Sequence, residues 1–125
     1  MIDREIKSKA ISIDTLIAGL SRYRFSLTSE KTLQSEIGGA LTTLGYQFDR
    51  EVALFDGAII DFLVGNIGIE VKIKGSPLRI FRQLERYCAS PRVAELLFLT
   101  AKTIGLPDTI SGKPAHIISL GAAWL

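Results

Sequence analysis

Apolar residues recur at helical spacing in the first third of the chain. Over residues 11–25 they fall three or four positions apart, and Ser12 or Asp14 can cap the start. A second apolar stripe runs through residues 30–44 and stops at Gly45, where the end of a helix commonly needs a left-handed residue. This pattern predicts two consecutive helices.

After the second helix, the spacing of apolar residues changes to a period of two. Alternation over residues 46–54 and the turn signal of Asp56 and Gly57 predict a strand that enters a hairpin. Apolar runs at residues 58–64 and 67–73, separated by a short turn, predict two more strands. The three strands are expected to form an antiparallel meander, because their connections are short.

A third helix and a buried strand are predicted next. Ser76 can cap the helix and Pro77 suits its first position, so residues 76–89 are expected to be helical. Residues 94–100 are apolar nearly throughout, which is typical of a strand covered on both faces.

The rest of the chain completes an α/β pattern. Residues 105–114 carry the glycine and proline signals of a loop, and residues 115–120 predict a closing strand. The order α-α-β-β-β-α-β-β predicts a mixed central sheet of about five strands flanked by helices. We expect one domain of residues 1–125, with a helical extension over residues 1–28 and a core over residues 30–122.

Length and composition narrow the class of protein. A chain of 125 residues with 47% hydrophobic residues is long enough for one core and too short for two ordinary domains. No apolar run approaches the roughly 20 residues of a membrane-spanning helix, so a soluble protein with no membrane partner is expected. The N-terminus mixes both signs of charge and lacks the apolar segment of a secretory signal, which makes the cytoplasm the expected compartment.

The chain has one cysteine and one histidine. A lone Cys88 excludes an internal disulfide and a cysteine-based zinc cluster, and we expect it to be a small buried hydrophobe. His116 lies in the predicted closing strand, where a packing role is favoured over catalysis. The net charge of +2 does not identify a nucleic-acid binder, so any basic surface must be local.

Two acidic residues interrupt the apolar strands of the meander. Asp61 and Glu70 are placed where an unpaired carboxylate is expensive to bury. They face each other if the strands are antiparallel, and a divalent cation would neutralise both. Lys72, two positions after Glu70, points to the same face. These residues predict a Mg²⁺ or Mn²⁺ site, with the Val71 carbonyl as a further ligand and Lys72 assisting a water or stabilising a phosphate.

This arrangement carries a family resemblance. Asp61, then eight residues, then Glu70-Val71-Lys72 resembles the D…ExK signature of the PD-(D/E)xK nucleases. The resemblance spans residues 33–120. It implies a restriction-endonuclease-like core and a metal-dependent phosphodiesterase.

Other landmarks agree with the resemblance. The superfamily places a glutamate-bearing helix before the meander, which implies that Glu36 completes the metal or water shell. Some members carry a Q-x-x-x-Y element on a later helix, and Gln83 and Tyr87 match it, which implies a role in positioning Lys72 or DNA. Ile60 stands where the superfamily name places a proline, as in many members, and leaves the metal site intact.

Each of these residues also has a purely structural interpretation. The two strand carboxylates could pair with a lysine and an arginine in a salt-bridge network, although buried ion pairs are poor sources of stability. Glu36 could be a solvated helix residue. Gln83 and Tyr87 could be an ordinary surface glutamine and a core tyrosine.

Basic residues are concentrated near the proposed metal site. Five of them fall within fifteen positions: Lys72, Lys74, Arg79, Arg82 and Arg86. The three arginines share one helical face, which could contact DNA phosphates without reading bases. Alternatively, this is a solvated face balanced by Glu85.

The sequence therefore predicts a metal-dependent endonuclease that hydrolyses DNA and recognises its shape. The alternatives are an inactive nucleic-acid-binding or assembly module on the same fold and an RNA-directed nuclease. The chain is similar in size to junction-resolving and VRR-type nucleases, which implies a symmetric homodimer. The apolar segment of residues 120–125, with Trp124, could form the dimer surface or pack onto the sheet.

Overall fold

The described part of the chain folds around one mixed sheet. The computed structural model describes residues 11–121. They form the helices α1 (Ile13–Leu20), α2 (Glu30–Thr43) and α3 (Pro77–Cys88), and the strands β1 (Asp49–Phe55), β2 (Ala58–Val64), β3 (Ile67–Lys72), β4 (Glu95–Thr100), β5 (Thr109–Ile110) and β6 (Lys113–Ser119). The end of the apolar C-terminal segment, residues 122–125, lies outside the described residues, as do residues 1–10 of the predicted helical extension.

Local signals fix where the helices begin and end. The hydroxyls of Ser12 and Ser76 each accept a hydrogen bond from the N–H three residues further on, at 3.3 and 3.2 Å. Pro77 occupies the start of α3, and Gly45 follows α2 with a φ of 89°. These predicted helix boundaries are confirmed.

The strand order of the sheet is β1-β2-β3-β4-β6-β5. β1, β2 and β3 form the predicted antiparallel meander, and α3 then crosses over so that β4 lies parallel to β3. β6 is parallel to β4, and β5 pairs antiparallel with β6 at the edge. The fold is therefore a mixed α/β arrangement.

Helices cover both faces of the sheet. α1 and α2 pack on one face, here called the α2 face, and α3 packs on the other, the α3 face. In β4, Leu97 and Leu99 point to the α2 face, and Leu96 and Phe98 point to the α3 face. This confirms a strand buried on both sides. Cys88 is buried in the core of the α3 face, as expected.

The first helix is shorter than the apolar pattern indicates. It ends at Leu20, although apolar residues continue at helical spacing up to Phe25. Tyr23 and Phe25 reach the core from an irregular segment, and their rings stack with centroids 5.7 Å apart. Burial thus explains their apolar character without a helix.

A sixth strand replaces part of the predicted loop at residues 105–114. β5 and the beginning of β6 form a hairpin whose turn residues, Ser111 and Gly112, have φ values of 51° and 76°. Positive φ at both central residues is characteristic of a two-residue I′ turn. β5 has only two residues, which is too short to show a sequence period.

The side chains of β2 change from one face of the sheet to the other at one position. Ile60 belongs to the core of the α3 face and Phe62 to the core of the α2 face, whereas alternate residues of a regular strand share a face. The Cα pairing of the two strands skips Glu51 and Asp61 at this point, and Glu51 has a φ of 51°. Asp61 therefore lies where the regular pairing of β2 is interrupted.

Candidate active site

The carboxylates of Asp61 and Glu70 bridge a gap between β2 and β3. The Cα pairing of these strands ends at Phe62 and Ile69, one position before the two acids. The N–H of Asp61 donates to Glu70 Oε1 at 3.1 Å, and the N–H of Val71 donates to Asp61 Oδ2 at 2.8 Å. Side-chain oxygens thus accept from backbone donors at the point where the ladder stops.

Glu70 is buried among polar groups of the α3 face. Its side chain is 3% exposed, and its Oε2 lies 3.8 Å from Lys72 Nζ and 3.3 Å from the hydroxyl of Tyr87. That hydroxyl is also 2.8 Å from the carbonyl oxygen of Ile59, to which it can donate its single proton. The Tyr87 oxygen can then accept a hydrogen bond from Glu70 when that acid is protonated.

The two carboxyl groups hold a proton more strongly than ordinary acids do. Burial and the neighbouring charge of Asp61 raise the pKa of Glu70, and Lys72 opposes this only in part. Burial also raises the pKa of Asp61, against the hydrogen bond from the N–H of Val71. Burial and the Glu70 charge raise the pKa of Tyr87 as well. Without another cation, this acid pair has too little positive charge around it.

A divalent cation suits this shortage of positive charge. Mg²⁺ in phosphoryl-transfer sites is commonly held by one or two carboxylates, with water and phosphate oxygens completing its shell. Asp61 and Glu70 provide such a pair. Among residues 11–121, no three His, Cys, Asp or Glu side chains come close enough together to bind one ion. The carbonyl of Val71, whose N–H is held by Asp61, stays a predicted further ligand.

The residue of α2 that contacts the acid pair is Gln34, and not Glu36 as the sequence predicted. Glu36 accepts hydrogen bonds from the N–H and hydroxyl of Ser26, at 2.7 and 2.8 Å, and does not join the acid pair. Gln34 Nε2 instead donates to Asp61 Oδ1 at 3.0 Å. Two residues correspond to roughly 200° around a helix, so Glu36 and Gln34 point in nearly opposite directions.

Glu30 is a second residue that the sequence interpretation missed. It precedes Gln34 by one helical turn, and its Oε1 accepts from the N–H of Ile73 at 2.9 Å, just beyond the end of β3. Its charge also raises the pKa of Asp61, as a minor contribution after burial. Residues four apart lie on the same face of a helix, so this spacing in the sequence indicates that Glu30 and Gln34 point to the same side of α2.

A cleft with only basic charges opens beside Lys72. Its volume is about 500 Å³, and it lies between α3, the end of β3 and the β1–β2 turn. Its charged lining residues are Lys72, Lys74, Arg79, Arg82 and Arg86. No acidic side chain of residues 11–121 lines it. The structure thus brings the five basic residues of the sequence cluster to one concave surface, here called the basic cleft.

Two further residues of α3 have distinct places. Gln83 lines the basic cleft together with the arginines. Tyr87 also borders it, but its side chain is 0% exposed and its hydroxyl is bound to Ile59 and Glu70. Tyr87 therefore cannot contact DNA directly in this structure. Its hydroxyl instead contacts Glu70 of the acid pair.

The structural alternatives can be compared with these contacts. Lys72 is the only basic residue of the described chain within ion-pair distance of the acid pair, so the arginine of a salt-bridge network is missing. His116 bonds to Glu95 at 2.9 Å between β6 and β4. None of the contacts of the acid pair involves it, in agreement with a packing role.

Comparison of the chain with protein-family models, with curated proteins and with solved structures finds no significant match. In the part of the chain that the structure describes, no helix has the length and apolar character needed to cross a bilayer. The assignment of function therefore depends on the geometry of the acid pair, Lys72 and the basic cleft.

Proposed function

We propose that this protein is a Mg²⁺- or Mn²⁺-dependent endonuclease that hydrolyses DNA phosphodiester bonds on a restriction-endonuclease-like core. One observation carries the proposal: a buried carboxylate, Glu70, and a half-buried one, Asp61, converge with Lys72 beside a cleft whose charged side chains, among residues 11–121, are all basic. A bound cation would neutralise the carboxylates of the acid pair, and the phosphates of a DNA strand would neutralise the basic side chains of the cleft.

Each residue of the site has a defined task in this proposal. Asp61 and Glu70 would hold the cation, and Gln34 would orient Asp61 through its hydrogen bond to Oδ1. A bound cation would lower the pKa of an attacking water and withdraw charge from the phosphate. Lys72 lies between the acid pair and the cleft, where its ammonium can stabilise charge that develops on the phosphate.

The basic cleft supports a polyanionic substrate. Lys74, Arg79 and Arg82 form no ion pair with any acid of the described residues, so their charges are available to phosphates. Lysine and arginine contacts to phosphates give affinity without base specificity, and they weaken as salt increases. This favours recognition of DNA by its shape. The homodimer implied by the resemblance remains a prediction.

The element order also supports the proposed core. An antiparallel meander, a crossover helix and a parallel fourth strand follow the glutamate-bearing helix, in the order expected from the resemblance. Asp61 and Glu70 are contributed by the second and third strands of that meander.

The proposal is tested by incubating the purified protein with labelled duplex, single-stranded, flap and four-way-junction DNA in Mg²⁺, Mn²⁺ or EDTA. We expect cation-dependent cutting of at least one DNA, abolished by EDTA and by Asp61→Ala, which also controls for contaminating nuclease. Matched RNA substrates run in parallel.

The possible outcomes separate the alternatives. Cutting of RNA but not DNA would replace the proposal with an RNA-directed nuclease. Binding of DNA that persists in EDTA, without cutting of any substrate by a folded protein, would favour an inactive binding module.

Glu30 and Glu36 provide a matched pair of substitutions on α2. Glu30→Ala is expected to lower cleavage by about tenfold or more, since its carboxylate orders the end of β3 beside Asp61. Glu36→Ala should leave cleavage unchanged and lower the free energy of unfolding by about 1–2 kcal/mol, because it loses both bonds to Ser26. Cleavage rates and urea denaturation measure the two effects. If Glu36→Ala lowers cleavage and Glu30→Ala does not, Glu36 is part of the site.

A further inference from the structure

A second cleft adjoins the basic cleft at the end of β3. Its volume is about 390 Å³, and it shares Lys72, Lys74 and Gly75 with the basic cleft. Its other walls are residues 28–30, which lead into α2, and Ile73. Because α2 and α3 pack on opposite faces of the sheet, the two clefts lie on either side of the shared segment. The second one is here called the α2 cleft.

The α2 cleft differs in chemistry from the basic cleft. The residues that line it alone carry no positive charge: Thr28, Ser29, Glu30 and Ile73. The hydroxyl of Ser29 is bonded to Thr32, which leaves the side chains of Thr28 and Glu30 to bond to a ligand. The carboxylate of Glu30 repels a phosphate and attracts a group that donates hydrogen bonds. The α2 cleft therefore suits an uncharged part of a ligand, whose phosphate would contact the shared lysines.

Glu30 is held in place and keeps free acceptor capacity. Its Oε1 accepts from the N–H of Ile73 at 2.9 Å, and the residue is half-buried. An ionised carboxylate has about four acceptor sites, so one bond from the backbone leaves others open. Within residues 11–121, neither Lys72 nor Lys74 lies within ion-pair distance of this carboxylate. Glu30 can thus accept further hydrogen bonds from a ligand in the α2 cleft.

We propose that the α2 cleft binds the sugar and base of an unpaired nucleotide next to the scissile phosphate, an inference that rests on the proposed nuclease function. The cut strand places its phosphates in the basic cleft on one side of Lys72 and this nucleoside in the α2 cleft on the other. The N–H groups of the base bond to Glu30 and Thr28, and its ring contacts Ile73. A volume of about 390 Å³ falls within the usual range of ligand pockets, roughly 300–1,000 Å³.

A base can enter the α2 cleft only when it is unpaired. In a duplex its N–H groups are bonded to the opposite strand and its ring is stacked on its neighbours, so its removal from the helix costs free energy. Every base carries at least one N–H group, and a threonine hydroxyl can donate as well as accept, so several bases fit. The α2 cleft would thus select the structure of the DNA without reading its sequence.

The test on the DNA side removes one base at a time around the mapped cut in an unpaired strand. We expect the loss of one base beside the cut to lower the cleavage rate by about tenfold, as the loss of a well-made hydrogen bond does. Loss of bases on the side of the basic cleft should have little effect. Replacing single phosphates by uncharged methylphosphonates should give the opposite pattern, because the basic cleft binds phosphates.

The test on the protein side compares Thr28→Phe with Thr43→Phe. Thr28 is an exposed residue of the α2 cleft, and Thr43 is an exposed residue at the far end of α2, a helix roughly 20 Å long. A phenylalanine at position 28 occupies the α2 cleft. This variant should cut intact DNA about tenfold more slowly and no longer respond to removal of the base. Thr43→Phe should keep the rate and the response of the wild type.

Failure of this inference can be distinguished from failure of the nuclease proposal. If the wild type cuts DNA, but base removal beside the cut has no effect or has the same effect on Thr28→Phe, the inference is overturned and the nuclease proposal stands. Equal cleavage of a strand when paired and unpaired also overturns it. If the wild type cuts nothing, dissociation constants are compared for a single strand and for a strand of equal length without bases. A preference for bases that Thr28→Phe loses supports the inference, whereas no preference, or one that this variant keeps, overturns it.

Discussion

Replacing Lys72 by alanine is expected to lower kcat for DNA cleavage by about 10²–10³-fold, the usual loss when a charge stabiliser of the transition state is removed. Its ammonium lies 3.8 Å from Glu70 and also lines the basic cleft, so it is the one cation of the cleft placed beside the acid pair. The carboxylates of Asp61 and Glu70 are unchanged in this variant. Single-turnover cleavage at saturating DNA measures the effect.

Lys74→Ala is the matched control for this variant. Lys74 lines the same cleft two residues further on, is exposed, and forms no ion pair with Glu70 or Asp61. It should raise KM and weaken the salt dependence of binding while changing kcat little. Equal effects of the two substitutions on kcat would show that Lys72 acts only as another phosphate contact.

Replacing Glu70 by glutamine is expected to stabilise the metal-free protein above neutral pH and to abolish cleavage. The pKa of Glu70 rises from an ordinary value of 4.5 to about 9 in the folded protein, mainly by burial. Protonation therefore favours the folded state. The stability of the wild type should be greatest below pH 4.5 as far as this group is concerned, and should fall as pH rises toward 9.

Glutamine removes this loss because it stays uncharged at all pH values. At pH 8 we expect Glu70→Gln to raise the free energy of unfolding by about 2 kcal/mol or more, which corresponds to roughly 5–10 °C in Tm. Mn²⁺ should stabilise the wild type, increasingly so at high pH, and leave the variant unaffected. Thermal melts at pH 5 and pH 8, with Mn²⁺ and with EDTA, measure both effects.

Glu85→Gln serves as the control, since Glu85 is an exposed carboxylate on α3 outside the acid pair. It should show the melting temperatures and Mn²⁺ response of the wild type. A Glu70→Gln protein less stable than the wild type at pH 8 would mean that the carboxylate is already compensated by its neighbours, and would weaken the case for a cation site.

The convergence of the acid pair could be predicted from the sequence because it depends on short-range rules. A tight turn between two strands fixes which residues face each other, and a period of two places Lys72 on the side of Glu70. The basic face of α3 that lines the cleft could be predicted in the same way, from the helical spacing of its three arginines. These predictions need no knowledge of how distant elements pack.

The choice between Glu30 and Glu36 could not be made by such rules. Both flank the apolar stripe of α2 that contains Leu33 and Ile37, one on each side. Which side meets Asp61 depends on the direction in which the helix crosses the sheet, a tertiary property that the apolar stripe does not specify. The resemblance requires only a glutamate on this helix and does not distinguish Glu36 from Glu30.

The change of faces at Glu51 and Asp61 was also invisible in the sequence. A left-handed backbone is normally signalled by glycine or asparagine, whereas here a glutamate adopts it. The alternation of apolar residues continues on both sides of the break and gives no sign that the faces have been exchanged. Only the separate cores of Ile60 and Phe62 reveal it.

The hydroxyl of Tyr87 has a consequence for where a substrate would be cut. It joins α3 to both Glu70 and the carbonyl of Ile59, and the same helix carries Arg79 and Arg82. The phosphate contacts and the acid pair thus belong to one rigid frame rather than to a flexible loop. In the proposed enzyme, the distance between a phosphate bound on α3 and the broken bond would be set by the fixed packing of α3 against β2 and β3.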